Sequence, residues 1–418
     1  MEGRVVIINH LPSFVQRFFM PMRQTVSKPQ FSHLWSLVLA MVITCRDAKL
    51  LHLSSVTPGA GHRTRRGAFL SRSDWDAPAL IRQATDHLLS SMKPQAGETV
   101  CLLLDDTRIA KRGSKMDRLS KIWDHKQQKF VRGHIVLTAA VVFRGVVLPW
   151  RLQLWKPKGQ PASAYAPRYR KLTDMAAEMI RAFAPPVAGM KVRVLFDAFY
   201  LCPAVCHACQ EKGFTFFSVA QRNRIFTTDN HKRRSLKNLM PGLLKHDGHN
   251  VHMKRSRGYA KLRLASVDGH LSRIGQVRLV VSKRPAGPWR RTVAIVTNET
   301  KLNPRRIVAI YETRWLIEVL FKELRQDLGL GDYQMLAEDG IVHHLHVCCL
   351  AHLLLTHQSL TGLGAQARKV DEQVKLPPMS QRLQSLRESI AKDQIRRIVK
   401  GPEHAKLRTR LCHHLLAA

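Results

Sequence analysis

The chain has 418 residues, more than one ordinary domain needs and enough for two or three. A hydrophobic fraction of 45% supports a real core and excludes wholesale disorder. Lys and Arg total 68 against 30 Asp and Glu; a net charge of +38 calls for a polyanion, and nucleic acid fits best because neutralised phosphates release counterions.

Taken in order, residues 1–98 read as mainly helical. Residues 31–53 are strongly apolar and predict a core helix. Their most apolar part, 34–45, is about 12 residues long, too short to span a bilayer, so no membrane partner is expected. The opening MEGRVVIINHLPSF has no basic segment ahead of an apolar one, so no signal peptide is expected. His62, Arg63, Thr64, Arg65, Arg66 and Gly67 predict a basic turn. Ser73-Asp74-Trp75-Asp76 supplies the cap of a helix over 77–92, which Pro94 and Gly97 end.

Residues 99–219 alternate strand-like and helix-like patterns. The apolar run 100–104 closes on Asp105-Asp106-Thr107. A basic connection follows over 108–129, with Lys111, Arg112, Lys115, Arg118, Lys121, Lys126 and Lys129. It suits a DNA backbone; the plain alternative is a solvated loop. Strands are predicted at 134–143 and 146–154, joined at Arg144-Gly145. A Pro-containing loop covers 155–167, and an amphipathic helix over 169–183 ends at Pro185-Pro186. The strand 191–197 closes on Asp197; a helix near 203–212 and a strand at 214–219 follow. Three strands, helix, strand, helix, strand is the order of a ribonuclease H-like core. The eight cysteines are too few for a disulfide framework in so long a chain. Cys202, Cys206, His207 and Cys209 form one cluster, but no second Cys/His pair stands at convincing zinc-site spacing, and Cys202, Cys206 and Cys209 fit the buried stripe of a helix instead.

Residues 220–300 break that order. Arg222, Arg224, Lys232, Arg233, Arg234 and Lys237 precede β-like runs at 250–255, 260–267, 276–282 and 292–297. Asp197 and Glu318 lie 121 residues apart, far more than one strand-to-helix crossing needs. A connection that long with its own strands predicts an inserted, mostly β domain. Beyond residue 330, helices are predicted at 341–359 and 379–391, with a linker at 362–378. His343, His344, His346, His352 and His357 read as ordinary helix residues. The basic tail, 392–410, suits DNA or dimer contacts equally.

The stretch 311–330, YETRWLIEVLFKELRQDLGL, has no Gly or Pro before Gly329 and predicts one helix. At about 100° per residue, Tyr311, Arg314, Glu318, Lys322 and Arg325 share a stripe roughly 80° wide. Leu316, Ile317, Leu320, Phe321, Leu324 and Leu328 fill the opposite side. Such an edge also fits a solvated face with i,i+4 ion pairs such as Glu318 with Lys322. The two strand-end aspartates tip the balance. They stand where open α/β sheets place their sites. With Glu318 they can form a carboxylate cluster for Mg²⁺, and two such ions about 4 Å apart would activate a water and stabilise the leaving oxygen of a phosphodiester.

On these residues the sequence resembles the DDE transposases of bacterial insertion sequences, in the branch with a Tyr-Arg-Glu-Lys signature, Y-x2-R-x3-E-x6-K. Here it reads Tyr311, Arg314, Glu318 and Arg325, so three of four positions match and Arg replaces the last Lys. The resemblance covers about 99–330. It implies a ribonuclease H-like mixed sheet with a β insertion and helical N- and C-terminal regions. The divisions would be 1–98, a helical region binding the element's ends (or bracing the sheet); 99–219 with 301–330, the catalytic core; 220–300, the insertion; and 331–418, a basic helical region. Asp106, Asp197 and Glu318 would hold two Mg²⁺ ions, with Mn²⁺ as substitute and Asp105 as the alternative to Asp106. Tyr311, Arg314, Lys322 and Arg325 would bind DNA phosphates. Some members stack a flipped base on an insertion-domain Trp, for which Trp289 lies in the right segment. Double-stranded DNA, both element ends and target, would be the partner of a homodimer in the bacterial cytoplasm, at the nucleoid. The rival expectations are a metal-dependent nuclease acting on structured DNA or RNA, and an inactive transposase-derived DNA-binding protein.

Overall fold

The computed structural model describes residues 11–44, 48–56, 63–124, 128–228, 232–255, 258–370 and 372–400, with backbone alone at 254–255 and 397–400. The opening decapeptide, His62, Lys126 and the tail from 401 lie outside the described residues.

The N-terminal helices are α1 (Ser13–Phe19), α2 (Lys28–Thr44), α3 (Leu50–Ser55), α4 (Arg63–Arg72) and α5 (Ala77–Ser91). The expected core helix ends at Thr44, and 50–55 form a helix of their own. The basic segment after residue 62 is the first turn of α4 and not a free turn. Arg66 points inward there and donates to the Leu53 carbonyl. Asp76 caps α5 as expected, its carboxylate accepting from the Ala79 N–H at 2.8 Å.

The sheet begins with β1 (Thr99–Ala110), β2 (Ser120–Asp124), β3 (Lys129–Phe143) and β4 (Val146–Leu154). Arg144 and Gly145, with φ of 47° and 83°, make the tight β3–β4 turn that needs two left-handed residues. The core continues through α6 (Leu172–Ala182), β5 (Lys191–Phe196), α7 (Pro203–Glu211) and β6 (Thr215–Val219). β1 lies parallel to β5, and β5 to β6, while β3 runs antiparallel to β1. Next come β7 (Ile225–Thr228), β8 (Arg233–Ser235), α8 (Leu236–His246), β9 (His249–Arg255), β10 (Gly258–Leu271), β11 (Gly275–Lys283) and β12 (Val293–Thr297). These strands do not form a sheet apart. β12 pairs with β6, and among the described residues a single 12-stranded sheet runs β2-β3-β1-β5-β6-β12-β11-β10-β7-β8, with β4 on β3 and β9 on β10. The architecture is mixed α/β, a large mixed sheet with helical regions at both ends, consistent with the ribonuclease H-like fold.

The remaining helices are α9 (Pro304–Glu312), α10 (Trp315–Gln326), α11 (Glu338–Leu363) and α12 (Met379–Lys400). α11 is apolar all round and buried along most of its length, as the axis of a helical layer must be. It is long and apolar enough to cross a membrane, but its most apolar window is entirely inside the protein. α1, α2, α4 and α5 pack on it from the N-terminal side and α12 from the C-terminal side. The N-terminal helices therefore do brace the sheet: α5 and α11 both rest on β4. All five histidines of α11 are buried, and burial pushes the imidazoles of His344, His346 and His357 down to about 4.

Candidate active site

β1 does not stop at its acids. It runs on to Ala110, but its parallel pairing with β5 ends at Leu104 opposite Phe196. Asp105 and Asp106 therefore sit where the two parallel strands part, next to Asp197 at the end of β5. Asp197 is fixed from three sides: its carboxylate accepts from the Phe199 N–H at 2.9 Å and the Tyr200 N–H at 3.4 Å, and its carbonyl from Ser218 Oγ at 3.0 Å.

The signature helix is two helices. At Thr313 and Arg314 the backbone stays right-handed, but its hydrogen bonds shorten to i→i+3: Thr313 N–H to Ile310, Arg314 N–H to Tyr311 and Ile317 N–H to Arg314. Arg314 stands at the break. It spans 3.0 Å to Asp105 Oδ2 and 2.5 Å to Glu318 Oε1. Burial works against its charge, and Tyr311, Asp105 and Glu318 outweigh that, so its pKa rises. Below the break, Ile317, Leu320, Phe321 and Leu324 form the buried face of α10.

Asp105 and Asp106 point to opposite sides of β1, as alternation requires. Asp105 faces α10 through Arg314. Thr107 has the same parity and receives Arg325, whose guanidinium also donates to the Arg108 carbonyl at 2.8 Å. Asp106 faces the other way: its Oδ1 accepts from the buried Tyr200 hydroxyl at 2.9 Å, and Arg108 lies 3.9 Å from its Oδ2. Burial and then the nearby Asp197 charge lift Asp105 to about 7 against the pull of Arg314. Asp106 is raised too, by burial, with Tyr200 and Arg108 opposing. Arg314 joins Asp105, the alternative acid of the sequence reading, to Glu318, and Asp106 has no such bridge.

Asp105, Asp106, Asp197 and Glu318 all line one cleft of about 800 Å³, with Arg108, Lys322 and Arg325 on its wall. A Transposase DDE domain model matches residues 97–354, nearly two thirds of the chain, bracketing all four acids. The chain belongs to this family. It is also 27% identical over 176 residues to the "Probable transposase for insertion sequence element IS701" of Microchaete diplosiphon, a match covering 41% of this chain and 42% of that protein. The chain thus aligns with less than half the length of that curated relative.

DDE transposases generally use divalent metal ions. The donor chemistry of the carboxylate cleft fits one: hard carboxylate oxygens from three parts of the fold, two of them carboxyls raised by burial near a further acid. One rearrangement is required. Arg314 bridges Asp105 and Glu318, and among the described residues no three acidic, His or Cys side chains stand close enough to hold an ion together.

A second groove of about 600 Å³ adjoins the cleft through Arg314, lined also by Tyr311, Trp315, Ser282, Arg284 and Arg291. Trp315 is 62% exposed there, an aromatic the sequence reading passed over inside an otherwise apolar helix pattern. Trp289 stands elsewhere: half-buried in a 3-10 turn, packed on the core, its carbonyl accepting from Arg222. The basic connection is also split. Arg112, Lys115, Lys121 and Lys129 are exposed, whereas Lys111 donates inward to the Gly331 and Tyr333 carbonyls and Arg118 is buried against Glu338 at 2.6 Å. Cys206 and Cys209 are core residues of α7, as their spacing predicts.

Proposed function

We propose that this protein is the transposase of a bacterial insertion sequence, in the branch with the Tyr-Arg-Glu-Lys signature, cutting the element's ends and joining them to target DNA. The observation supporting this most is that Asp105, Asp197 and Glu318 line one cleft walled by Arg108, Lys322 and Arg325. A cleft of acids alone would repel DNA; one rimmed by cations can seat a phosphodiester against carboxylates. We assign the acid of β1 to Asp105, because Asp105 is the one that Arg314 bridges to Glu318. Asp106 then anchors Tyr200 beneath Asp197.

Asp105, Asp197 and Glu318 would hold two Mg²⁺ ions (Mn²⁺ in substitution), which when bound supply Lewis acidity to activate a water or a 3′-hydroxyl and to stabilise the leaving oxygen. Arg314 would leave its two carboxylates and turn its fork to a phosphate beside the cut, with Tyr311 next to it. Lys322 and Arg325 would hold the backbone along α10. Arg325 keeps the charge of the signature Lys, and its fork is already braced on Thr107 and the Arg108 carbonyl. Exposed Trp315, more than Trp289, is positioned to meet a base.

In this reading 99–219 with 301–330 form the catalytic core, 220–300 the insertion, and 331–418 a basic helical region. Region 1–98 joins bracing to DNA contact through exposed Arg63 and Arg65. The protein would act as a homodimer on double-stranded DNA in the cytoplasm. The test is to incubate the protein with its flanking genomic DNA and Mg²⁺ and to map the cuts. Breaks leaving 3′-hydroxyls at fixed element boundaries are expected. Breaks that follow DNA or RNA secondary structure instead would replace this reading with that of a structure-selective nuclease.

A further inference from the structure

The β2–β3 hairpin carries a feature that the carboxylate chemistry does not use. β2 is an edge strand of the sheet. Trp123 and Phe130 are directly opposed across it, their rings edge-to-face with centroids 5.1 Å apart. Trp123 lines the carboxylate cleft, and Phe130, on the outer side of the pair, is 57% exposed. Lys121 Nζ stands 4.9 Å from the centre of the Phe130 ring. Lys121 is itself paired with Arg132 on the same face of the ribbon, and both are exposed. Packing would not place a large aromatic here, since an exposed apolar edge invites aggregation. An aromatic face between cations at the mouth of the carboxylate cleft has the composition of a stacking platform for nucleobases, whose phosphates the cations meet.

We propose that Phe130, with Trp123 behind it, stacks an unpaired base of a DNA strand entering the cleft, while Lys121 and Arg132 hold the adjoining phosphates. The ligand class is single-stranded or frayed DNA continuous with a duplex. A fully paired duplex offers no unpaired base, only the faces of its terminal pairs, and so gains mainly the charge contacts. The inference takes its location from the proposed cutting site, but it concerns binding alone and needs no cleavage.

The test uses the full chain, EDTA to prevent cutting, and two fluorescein-labelled probes: a mixed-sequence duplex of about 20 base pairs, and the same duplex with a six-nucleotide single-stranded tail carrying 2-aminopurine. Stacking of one base contributes a factor of about 5 to 150 in affinity. The tailed probe is expected to bind about tenfold more tightly and to lose 2-aminopurine fluorescence. Phe130→Ala should abolish both the preference and the quenching, with duplex affinity unchanged within about twofold. Phe130→Tyr should restore both. Because Phe130 is exposed, its variants should melt like the wild type. The proposal is overturned if the wild type shows no preference, if Phe130→Ala weakens both probes equally, or if it alters self-association and leaves both affinities intact. A wild type that never cuts DNA but keeps a Phe130-dependent tail preference would sink the cutting assignment and leave this one standing.

Discussion

Glu323 lies one turn and a half beyond Glu318 on α10 and ties that helix to the helical layer. Its Oε1 accepts from Arg382 of α12 at 2.6 Å and its Oε2 from His352 of α11 at 2.9 Å. Burial drives His352 toward its neutral form despite the carboxylate, so the imidazole donates an ordinary N–H and the ion pair is the one with Arg382. Burial opposes the Glu323 charge too, but His352 and Arg382 outweigh it and hold the carboxyl near 2. Against the usual value of about 4.3 that is roughly 3 kcal/mol of stability at neutral pH. It is fully present above the unfolded pKa and is lost as pH falls toward 2. Glu323→Gln should therefore destabilise by about 3 kcal/mol, because one amide oxygen cannot satisfy both donors and Arg382 is left buried without its counter-charge. For a chain of this size unfolding as one unit, that lowers Tm by about 4 °C. Adding Arg382→Met removes the stranded charge and should recover part of the loss. Scanning calorimetry of the single and double variants measures both. A single variant within 1 °C of wild type, or a double variant whose loss is the sum of the two singles, would refute the reasoning.

Acid should unfold the protein early. His134, His344, His346 and His357 are held neutral to about 4 by burial, so between pH 6.5 and 4 the unfolded chain binds more protons and stability falls as pH drops; a Tm flat across that window contradicts this. Arg314→Ala should weaken binding of pre-cut ends more than of uncut duplex, and equal losses in a titration of both make it a general backbone contact or a structural one. Duplex affinity should fall by about a thousandfold between 50 and 200 mM salt if six or more phosphates are neutralised; a flat salt titration removes the role of the +38 charge.

The two aspartate positions stood out because each follows an apolar run; after Asp105 and Asp106 it is the parallel pairing with β5 that ends, not β1 itself, which runs on to Ala110. Glu318 was legible through its helical spacing to Arg314 and Arg325. The choice between Asp105 and Asp106 was not, because parity alone does not say which side of β1 receives α10. The break at Thr313 was hidden because one β-branched residue is only a weak helix-breaking signal, and Asp105, the partner of the neighbouring Arg314, lies more than 200 positions away. Lys111 and Arg118 read as cations of a DNA-facing or solvated loop because their partners, Tyr333 and Glu338, are as distant in sequence. α8 was missed because Pro241 and Gly242 disguise it as loop, and β2 because its five residues sit in a charged stretch. After residue 220, β9 to β12 were recognised but the short β7 and β8 were not, nor was the continuation of the central sheet, since strand order depends on pairings that periodicity does not encode.

The assignment of the three acids is tested most directly by DNA cleavage in Mg²⁺ with Asp105→Asn, Asp106→Asn, Asp197→Asn and Glu318→Gln, each first checked for wild-type melting and duplex binding. The account predicts no cleavage by the Asp105, Asp197 and Glu318 variants and measurable cleavage by Asp106→Asn. Cleavage by Asp105→Asn together with its loss in Asp106→Asn would contradict the facing of β1, and wild-type cleavage by Glu318→Gln would remove α10 from the site.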